Sequence, residues 1–305
     1  MIIDQHLDER FSIYNADCVE VTSSIPDESV DFSIFSPPFA SLYTYSDSEL
    51  DMGNSRSYEE FFVHFGFLAE QLFRITKPGR VVAFHCMNIP AMKERDGYIG
   101  IKDFRGDLIR CFEKFGMIYH SEHCIWKDPL VEATRTKAIG LMHKQLVKDS
   151  AMSRSGLPDY LIAMRKPGEN KSFISHLDGL IPFYGENAPT AGTISHENWR
   201  RYASPVWMDI RQSDTLQGDS AREDQDERHI CPLQLDVIRR GMHLWSNQDD
   251  VVLSPFMGIG SEGVIALEME RKFIGVELKT SYYKQAKANI LIEKNKKSEQ
   301  DLLKV

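Results

Sequence analysis

The sequence predicts an α/β protein built on a doubly wound, mostly parallel, Rossmann-like sheet. Short apolar runs of strand length alternate with stretches of helical spacing through the first third of the chain and again towards its end, which is the rhythm of βαβ units. Two of the strand-like runs finish in loops of unusual chemistry, Ser36-Pro37-Pro38-Phe39 and a glycine-rich turn over 254–263. In such sheets ligands sit beyond the carboxyl ends of the strands.

The elements follow in order. Residues 11–15 read as a strand, 19–25 as a short helix and 30–35 as a buried strand. Phe61, Phe62, Phe65, Leu68, Leu72 and Ile75 give helical spacing over 57–75, and Lys77-Pro78-Gly79 stops that helix before a strand over 80–86. A helix over 103–115 closes at Gly116, a strand occupies 117–126, and another over 159–164 closes at Lys166-Pro167-Gly168. Between these two strands, 127–158 is rich in Lys, Arg, Ser and Met without clear periodicity and reads as a long surface insertion. Residues 169–228 are rich in Gly, Pro, Ser and Asn and interrupt the βαβ rhythm. From Pro232 regularity returns: a helix to about Trp245, a strand over 251–254, the glycine turn, a helix over 263–271, a strand over 272–278 and a last helix from Tyr282. No internal repeat is visible.

The chain has 305 residues, 42% of them hydrophobic and 27% charged, enough for a large core without disulfide or metal staples. Five scattered cysteines (Cys18, Cys86, Cys111, Cys124, Cys231) form no CxxC pair and suit a reducing cytoplasm rather than a disulfide framework. There is no basic start followed by an apolar run, and no apolar stretch of 18 residues, so neither a signal peptide nor a membrane span is expected. His85, His120, His123 and His229 lack metal-ligand spacing and read as structural; no metal is expected. The net charge of −9 argues against a protein that coats nucleic acid. Residues 127–171, however, hold nine Lys/Arg against five Asp/Glu, a net of +4, which leaves −13 for the remainder.

Gly258, Gly260 and Gly263 satisfy G-x-G-x-x-G, and Glu277 follows at the end of the next strand. Glycines admit a ligand close to the backbone, a helix N-terminus offers unpaired N–H donors, and a carboxylate on the next strand can accept from two ribose hydroxyls. A nicotinamide cofactor meets a topological obstacle: only 42 residues follow Gly263, too few for a second mononucleotide half, so the remaining strands come from earlier in the chain. At the other loop, the two prolines end the strand and fix a rigid turn. Ser36 and the carbonyl after it can grip an exocyclic amino group, and Phe39 can stack on a planar ring.

Together these segments resemble the amino-methylating DNA methyltransferases that use S-adenosylmethionine. The resemblance rests on Asn15-Ala-Asp-Cys18, on 26–39 ending in Ser-Pro-Pro-Phe, on Ile75-Thr-Lys-Pro-Gly-Arg80, on Asp250-Val-Val-Leu-Ser-Pro-Phe-Met-Gly-Ile-Gly260 and on Phe273-Ile-Gly-Val-Glu277. Their order, with the catalytic motif first, target recognition in the middle and the cofactor glycines last, is similar to the β group of the family. It implies a circularly permuted methyltransferase sheet with an inserted recognition region: 1–126 and 229–305 as catalytic and cofactor-binding halves, 127–158 as a basic DNA-contacting insertion, 159–168 as a core strand and 169–228 as the target-recognition region.

By position, the resemblance implies that Asp17 and the backbone at Cys18 contact the cofactor adenine and that Glu277 holds the ribose. Ser254, Phe256, Gly258, Gly260 and Ser261 match the loop that lines the cofactor, and Ser36, Pro37, Pro38 and Phe39 match the catalytic turn. His229-Ile-Cys-Pro232 matches, more loosely, the motif that wraps the methionine end. Ser254 stands where the family usually has Asp. Ser36 stands where adenine-N6 enzymes usually have Asp or Asn, and the Ser-Pro-Pro-Phe form resembles the cytosine-N4 enzymes, with adenine as the alternative. A cytosine-C5 enzyme needs a Pro-Cys nucleophile, and the chain offers only Cys231-Pro232. The implied substrate is double-stranded DNA with the target base flipped out, contacted by Arg135, Lys137, Lys144 and Lys148 of the basic stretch and by Arg200 and Arg201 beside Trp199. A homodimer and a cognate restriction nuclease stay open as partners. The rival readings are an NAD-dependent oxidoreductase and a non-catalytic nucleic-acid-binding module.

Overall fold

The computed structural model describes residues 2–39, 52, 55, 57–136, 143–152, 154–175, 196–216 and 232–302. In the N-terminal part, β1 (Asp4–Leu7) and β2 (Phe11–Asn15) lead to α1 (Cys18–Ser24), β3 (Val30–Phe35), α2 (Tyr58–Ile75) and β4 (Thr76–Met87). A small hairpin of β5 (Ile89–Ala91) and β6 (Gly100–Lys102) encloses the single turn α3 (Lys93–Asp96) and precedes α4 (Phe104–Lys114) and β7 (Ile118–Ile125). The middle holds α5 (Pro129–Thr136), α6 (His143–Lys148), β8 (Asp159–Arg165), α7 (His196–Ala203) and β9 (Val206–Trp207). The chain continues through α8 (Leu235–Trp245), β10 (Val251–Ser254), α9 (Ser261–Glu268), β11 (Lys272–Glu277) and α10 (Thr280–Leu302).

Within the described residues the main sheet runs β1-β2-β11-β10-β3-β4-β8-β7-β9. The five strands from β2 to β4 are mutually parallel. Every residue of β3 is buried, as a parallel strand covered on both faces must be. One face packs Val21, Phe61, Phe65, Leu68, Phe104 and Phe112 of α1, α2 and α4 against Phe84 and Cys86. The other packs Val237, Ile238, Ile265, Tyr283 and Ile290 of α8, α9 and α10 against Phe32 and Ile34. The unit β10-α9-β11, last in the chain, sits between β2 and β3, so the permuted order expected from the motifs is the order of the sheet.

The helix starts are encoded locally. Asp17, Ser57 and Asp103 each accept from the backbone N–H three residues on, at 2.9, 3.1 and 3.1 Å, and so cap α1, α2 and α4. At the amino ends of the central strands the fully buried Arg80 spans Asp31 on β3 and Asp250 just before β10, donating its Nε–H to Asp31 O at 3.1 Å and pairing through Nη2 with both carboxylates. Asp31 also accepts the Val251 N–H at 3.0 Å and meets Lys77 Nζ at 2.6 Å.

Three features depart from the sequence reading. The basic stretch is partly helical: Asp128 accepts from the N–H groups of Leu130 and Val131 at 2.8 and 3.3 Å and starts α5, with Pro129 in the first turn. Leu130 and Val131 remain exposed, so no buried stripe announces the helix. Second, β8 pairs antiparallel with both β4 and β7. Third, the 169–228 segment adds β9 beside β7. The polar edge strand β1 and the three-residue β5 and β6 escape pattern reading, having too few apolar alternations to register. No helix among the described residues is long and apolar enough to cross a membrane.

Candidate active site

From β10 the chain crosses through α9 to β11 on one side, while from β3 it crosses through α2 to β4 on the other. The connections diverge between β10 and β3, and a crevice opens at that switch point beyond the strands' carboxyl ends. The two chemically unusual loops leave the sheet on its two sides: the glycine turn follows β10, and Ser36-Pro37-Pro38-Phe39 follows β3. Asp17 follows β2, and Glu277 ends β11. Four neighbouring strands, about 4.8 Å apart, thus bring together at one sheet end the residues the sequence singled out at both ends of the chain.

The glycine turn is fastened to the sheet by the Met257 N–H, which donates to Val276 O at 2.9 Å. Gly258 and Gly260 adopt φ of 53° and 90°, the left-handed region that favours glycine. Their surroundings differ: a Cβ on Gly260 would lie 3.1 Å from Ala286 of α10, whereas one on Gly258 would meet nothing within 4 Å. The Glu277 carboxylate accepts from the Gly258 N–H at 3.0 Å through Oε2 and from the Lys279 N–H at 2.8 Å through Oε1. Asn15, which in the sequence is only part of a motif, clips β2 to β11. Its Nδ2 donates to Glu277 O and Leu278 O at 2.9 and 2.8 Å, and its Oδ1 accepts from Thr280 Oγ1 at 2.8 Å.

Burial governs the titrating groups on this side. It raises the Asp17 carboxyl and pushes the Cys18 thiol far up, where it is no nucleophile. Ser254 is fully buried and its Oγ has no hydrogen-bond partner among the described residues. Ser261 and Glu262 open α9 as buried residues. Burial, with the Glu277 charge adding to it, moves the Glu262 carboxyl up to about 8.

On the other side of the crevice, Ser36 Oγ lies 3.3 Å from His85 Nδ1 and also 3.3 Å from His85 O. Pro37 is buried, Pro38 half-buried, and the half-buried Phe39 ring leans on Phe104 at 6.1 Å between centroids. Phe256 stands 5.8 Å from Phe35, bridging the two loops. Spacing along the chain makes His85 a structural residue; in the fold it touches the Ser-Pro-Pro-Phe turn. Behind it His85 Nε2 is 3.2 Å from Asp159 Oδ2, and Lys127 Nζ is 2.6 Å from Asp159 Oδ1. Burial alone would raise the Asp159 carboxyl, but His85 and Lys127 outweigh it and hold it below the usual range. Residue spacing gives no sign of this cluster, because its members come from two strands and two loops.

A family model described as DNA methylase, of the N6/N4 methyltransferase type, matches residues 30–288. The chain belongs to this DNA methylase family. Among curated proteins, the type II methyltransferase M.MjaI of Methanocaldococcus jannaschii is 24% identical over 213 residues, 70% of this chain and 61% of that protein. This methylase therefore spans less than two thirds of that relative's length. Among solved structures, the candidate DNA modification methylase TTHA0409 of Thermus thermophilus superposes with a TM-score of 0.65 at 20% identity, over 94% of this chain and 96% of that one. The cytosine-N4-specific PvuII DNA methyltransferase gives 0.64 at 18% identity, over 95% and 90%. These likenesses establish the fold.

The cofactor the family implies is S-adenosylmethionine, and the methylase's residues fit it. The space open beside Gly258 admits a ligand against the backbone. Each Glu277 oxygen accepts a backbone N–H, and a carboxylate oxygen can accept more than one hydrogen bond, as a ribose diol requires. The orphaned hydroxyl of Ser254 is a buried polar atom for which the described residues provide no partner. Among the described residues no group of three or more His, Cys, Asp or Glu side chains is placed to hold a metal.

The basic residues of the methylase are less fully placed. Lys148 is exposed at the end of α6; Arg135 and Lys144 lie on α5 and α6, with their side chains outside the described part. Lys137, and His229 with Cys231 of the methionine-wrapping motif, lie outside the described residues. Arg200 and Trp199 are exposed on α7, whereas Arg201 is held by Asp209 at 2.7 Å. Asp209 also meets the fully buried Arg240 of α8 at 2.9 Å, and the Arg240 guanidinium lies 5.1 Å from the centre of the buried Trp207 ring, which ties α7 and β9 to the core.

Proposed function

We propose that the methylase transfers a methyl group from S-adenosylmethionine to the exocyclic amino group of a base flipped out of duplex DNA, with cytosine N4 as the target. The observation that carries this reading is the convergence, at one switch point, of an adenosine-type cradle (Asp17, Gly258, Glu277) and a rigid Ser-Pro-Pro-Phe turn. When bound, the cofactor supplies an electrophilic methyl group on sulfonium.

The protein's part is positioning. Glu277 and the backbone at Cys18 fix the adenosine end, while Phe256, Gly258 and Gly260 line the path towards the methyl. Ser36 Oγ and the Pro37 carbonyl accept from the amino N–H groups and aim the nitrogen lone pair at the methyl, and Phe39 stacks on the ring. Holding both reactants in line replaces a bimolecular encounter by an effectively unimolecular step and needs no covalent intermediate. The basic stretch 127–158, with Arg200 at the end of α7, provides the phosphate contacts that hold the duplex.

Ser36, where adenine-N6 members usually have Asp or Asn, favours cytosine. Methylation of duplex DNA by the purified methylase, followed by digestion to nucleosides, is expected to give N4-methylcytosine; N6-methyladenine would replace that target. Ser36→Ala and Phe39→Ala are each expected to slow transfer about 100-fold, the scale of a misplaced reactant, and unchanged rates would overturn the site. An enzyme of this kind binds S-adenosylmethionine and not NAD in a thermal-shift comparison, which separates it from an oxidoreductase.

A further inference from the structure

Strand register brings His85 to Ser36. Phe35 of β3 pairs with Phe84 of β4, so the next residues, Ser36 and His85, stand side by side where both strands reach their carboxyl ends. His85 pairs with Leu161 of β8, and Asp159, two residues away from Leu161, projects from the same face. Asp159 pairs in turn with Ile125 of β7, and Lys127, two residues further along, reaches the same carboxylate at 2.6 Å. The result is a line of side chains, Ser36 to His85 to Asp159 to Lys127, running inward from the crevice.

The ends of this line differ in chemistry. Asp159 is buried and held ionised between two cationic or proton-bearing neighbours. A carboxylate 3.2 Å from Nε2, close to it though not in hydrogen-bond alignment, favours the tautomer with the proton on that nitrogen, which leaves Nδ1 as a lone pair facing Ser36. The single proton of the Ser36 hydroxyl then has two acceptors in reach, Nδ1 and His85 O, each at 3.3 Å; with either of them taking it, Oγ keeps its lone pairs for a donor in the crevice. A brace between strands explains the contact of His85 with Asp159; it does not explain why the other ring nitrogen meets the catalytic turn.

We infer that His85, oriented by Asp159 and Lys127, is a positioning residue for the methyl transfer: it makes Ser36 Oγ an acceptor towards the substrate amino group and receives the proton that methylation releases. The inference rests on the proposed amino-group methylation. In the step, the C–N bond forms as the C–S bond breaks and its electron pair returns to sulfur. The nitrogen, now cationic, gives a proton to Ser36 Oγ as the hydroxyl proton moves to His85 Nδ1. The imidazolium so formed is stabilised by the Asp159 carboxylate and later loses its proton to water.

Two measurements test it. Single-turnover methyl transfer by His85→Ala is expected to fall about 100-fold or more, the scale of a lost proton acceptor, with the dissociation constant for S-adenosylmethionine within about twofold of wild type, since β4 lies away from the cradle. In His85→Asn the amide oxygen can take the place of Nδ1 as acceptor but cannot take up the proton, so the KM for DNA recovers while kcat stays low. Asp159→Asn slows wild type and has no further effect in the His85→Ala background. A His85→Ala rate within about threefold of wild type, or recovery of kcat in His85→Asn, overturns the relay. Should His85→Ala fail to fold, the ring itself decides: 15N shifts of the wild-type imidazole are expected to show the proton on Nε2, and a proton on Nδ1 overturns the inference. A wild type that binds S-adenosylmethionine but methylates no duplex DNA instead overturns the proposed function on which the relay depends.

Discussion

Glu262 shows how a single side chain sets a pH dependence. It opens α9 with 4% exposure, and its carboxyl rises from an ordinary 4.5 to about 8, chiefly through burial. Between those values the folded chain keeps a proton that the unfolded chain has lost, so stability falls as pH rises from about 4.5 to about 8 and levels off above. Glu262→Gln is expected to remove this slope and to leave the protein more stable at pH 9 by an amount on the order of a few kcal/mol, with little change at pH 4.5; urea unfolding across pH 4.5–9 measures it. None of this was legible in the sequence, where the helix is expected from 263 and Glu262 falls unremarked in the glycine turn before it, whereas α9 begins at Ser261. Ser36, Gly258 and Glu277 were legible because their roles depend on local geometry: a proline-fixed turn, a left-handed glycine and a strand end. His85 and Asp159 were not, since only strand pairing makes them neighbours.

At the scale of elements, the central strands are held at the end opposite the crevice by Arg80, which is 1% exposed and joins β3 to the entry of β10 through Asp31 and Asp250. Arg80→Met would leave the Asp250 carboxylate without its paired cation and Asp31 with Lys77 alone, and is expected to cost about 3–5 kcal/mol of stability, read from denaturant midpoints. Affinity for the cofactor at the far end should persist in whatever fraction stays folded. The helices of the basic stretch call for a different measurement. Replacing Lys137, Lys144 and Lys148 by Gln is expected to reduce the slope of log affinity for DNA against log salt by about 1 for each phosphate contact removed; an unchanged slope would make α6 and its flanks a solvated surface. The strands of the core were readable to within a residue or two, since buried apolar runs leave few alternatives, except that β4 begins at Thr76, four residues before the expected start at 80, because pairing with β3 starts ahead of Pro78-Gly79 and resumes after an irregularity. Helices α5 and α6 were not, because their apolar side chains, such as Leu130, Val131, Leu146 and Val147, point to solvent and carry no core-facing period. The Asp128-Pro129 start was there to be found.

For the whole molecule, the acidic total and the basic middle acquire a spatial meaning. The negative charge belongs to residues 1–126, at −9, and to 172–228, at −5, while 229–305 sum to +1; the net +4 of 127–171 lies on chain that enters and leaves through β7 and β8, beyond β4 and on the Ser-Pro-Pro-Phe side of the crevice. The permuted order also dictates when the molecule can be completed. Phe11 pairs with Phe273, Phe32 with Val252, and the Asn15 clip spans 262 positions of sequence. A ribosome that has just delivered residue 250 has made β2 and β3 but neither of the strands that lie between them. Both then present open parallel edges, the kind of surface that recruits foreign strands. Folding of this chain is thus governed by its most distant contacts, which slows it; during synthesis the nascent protein depends on being kept from its neighbours until the last two strands arrive.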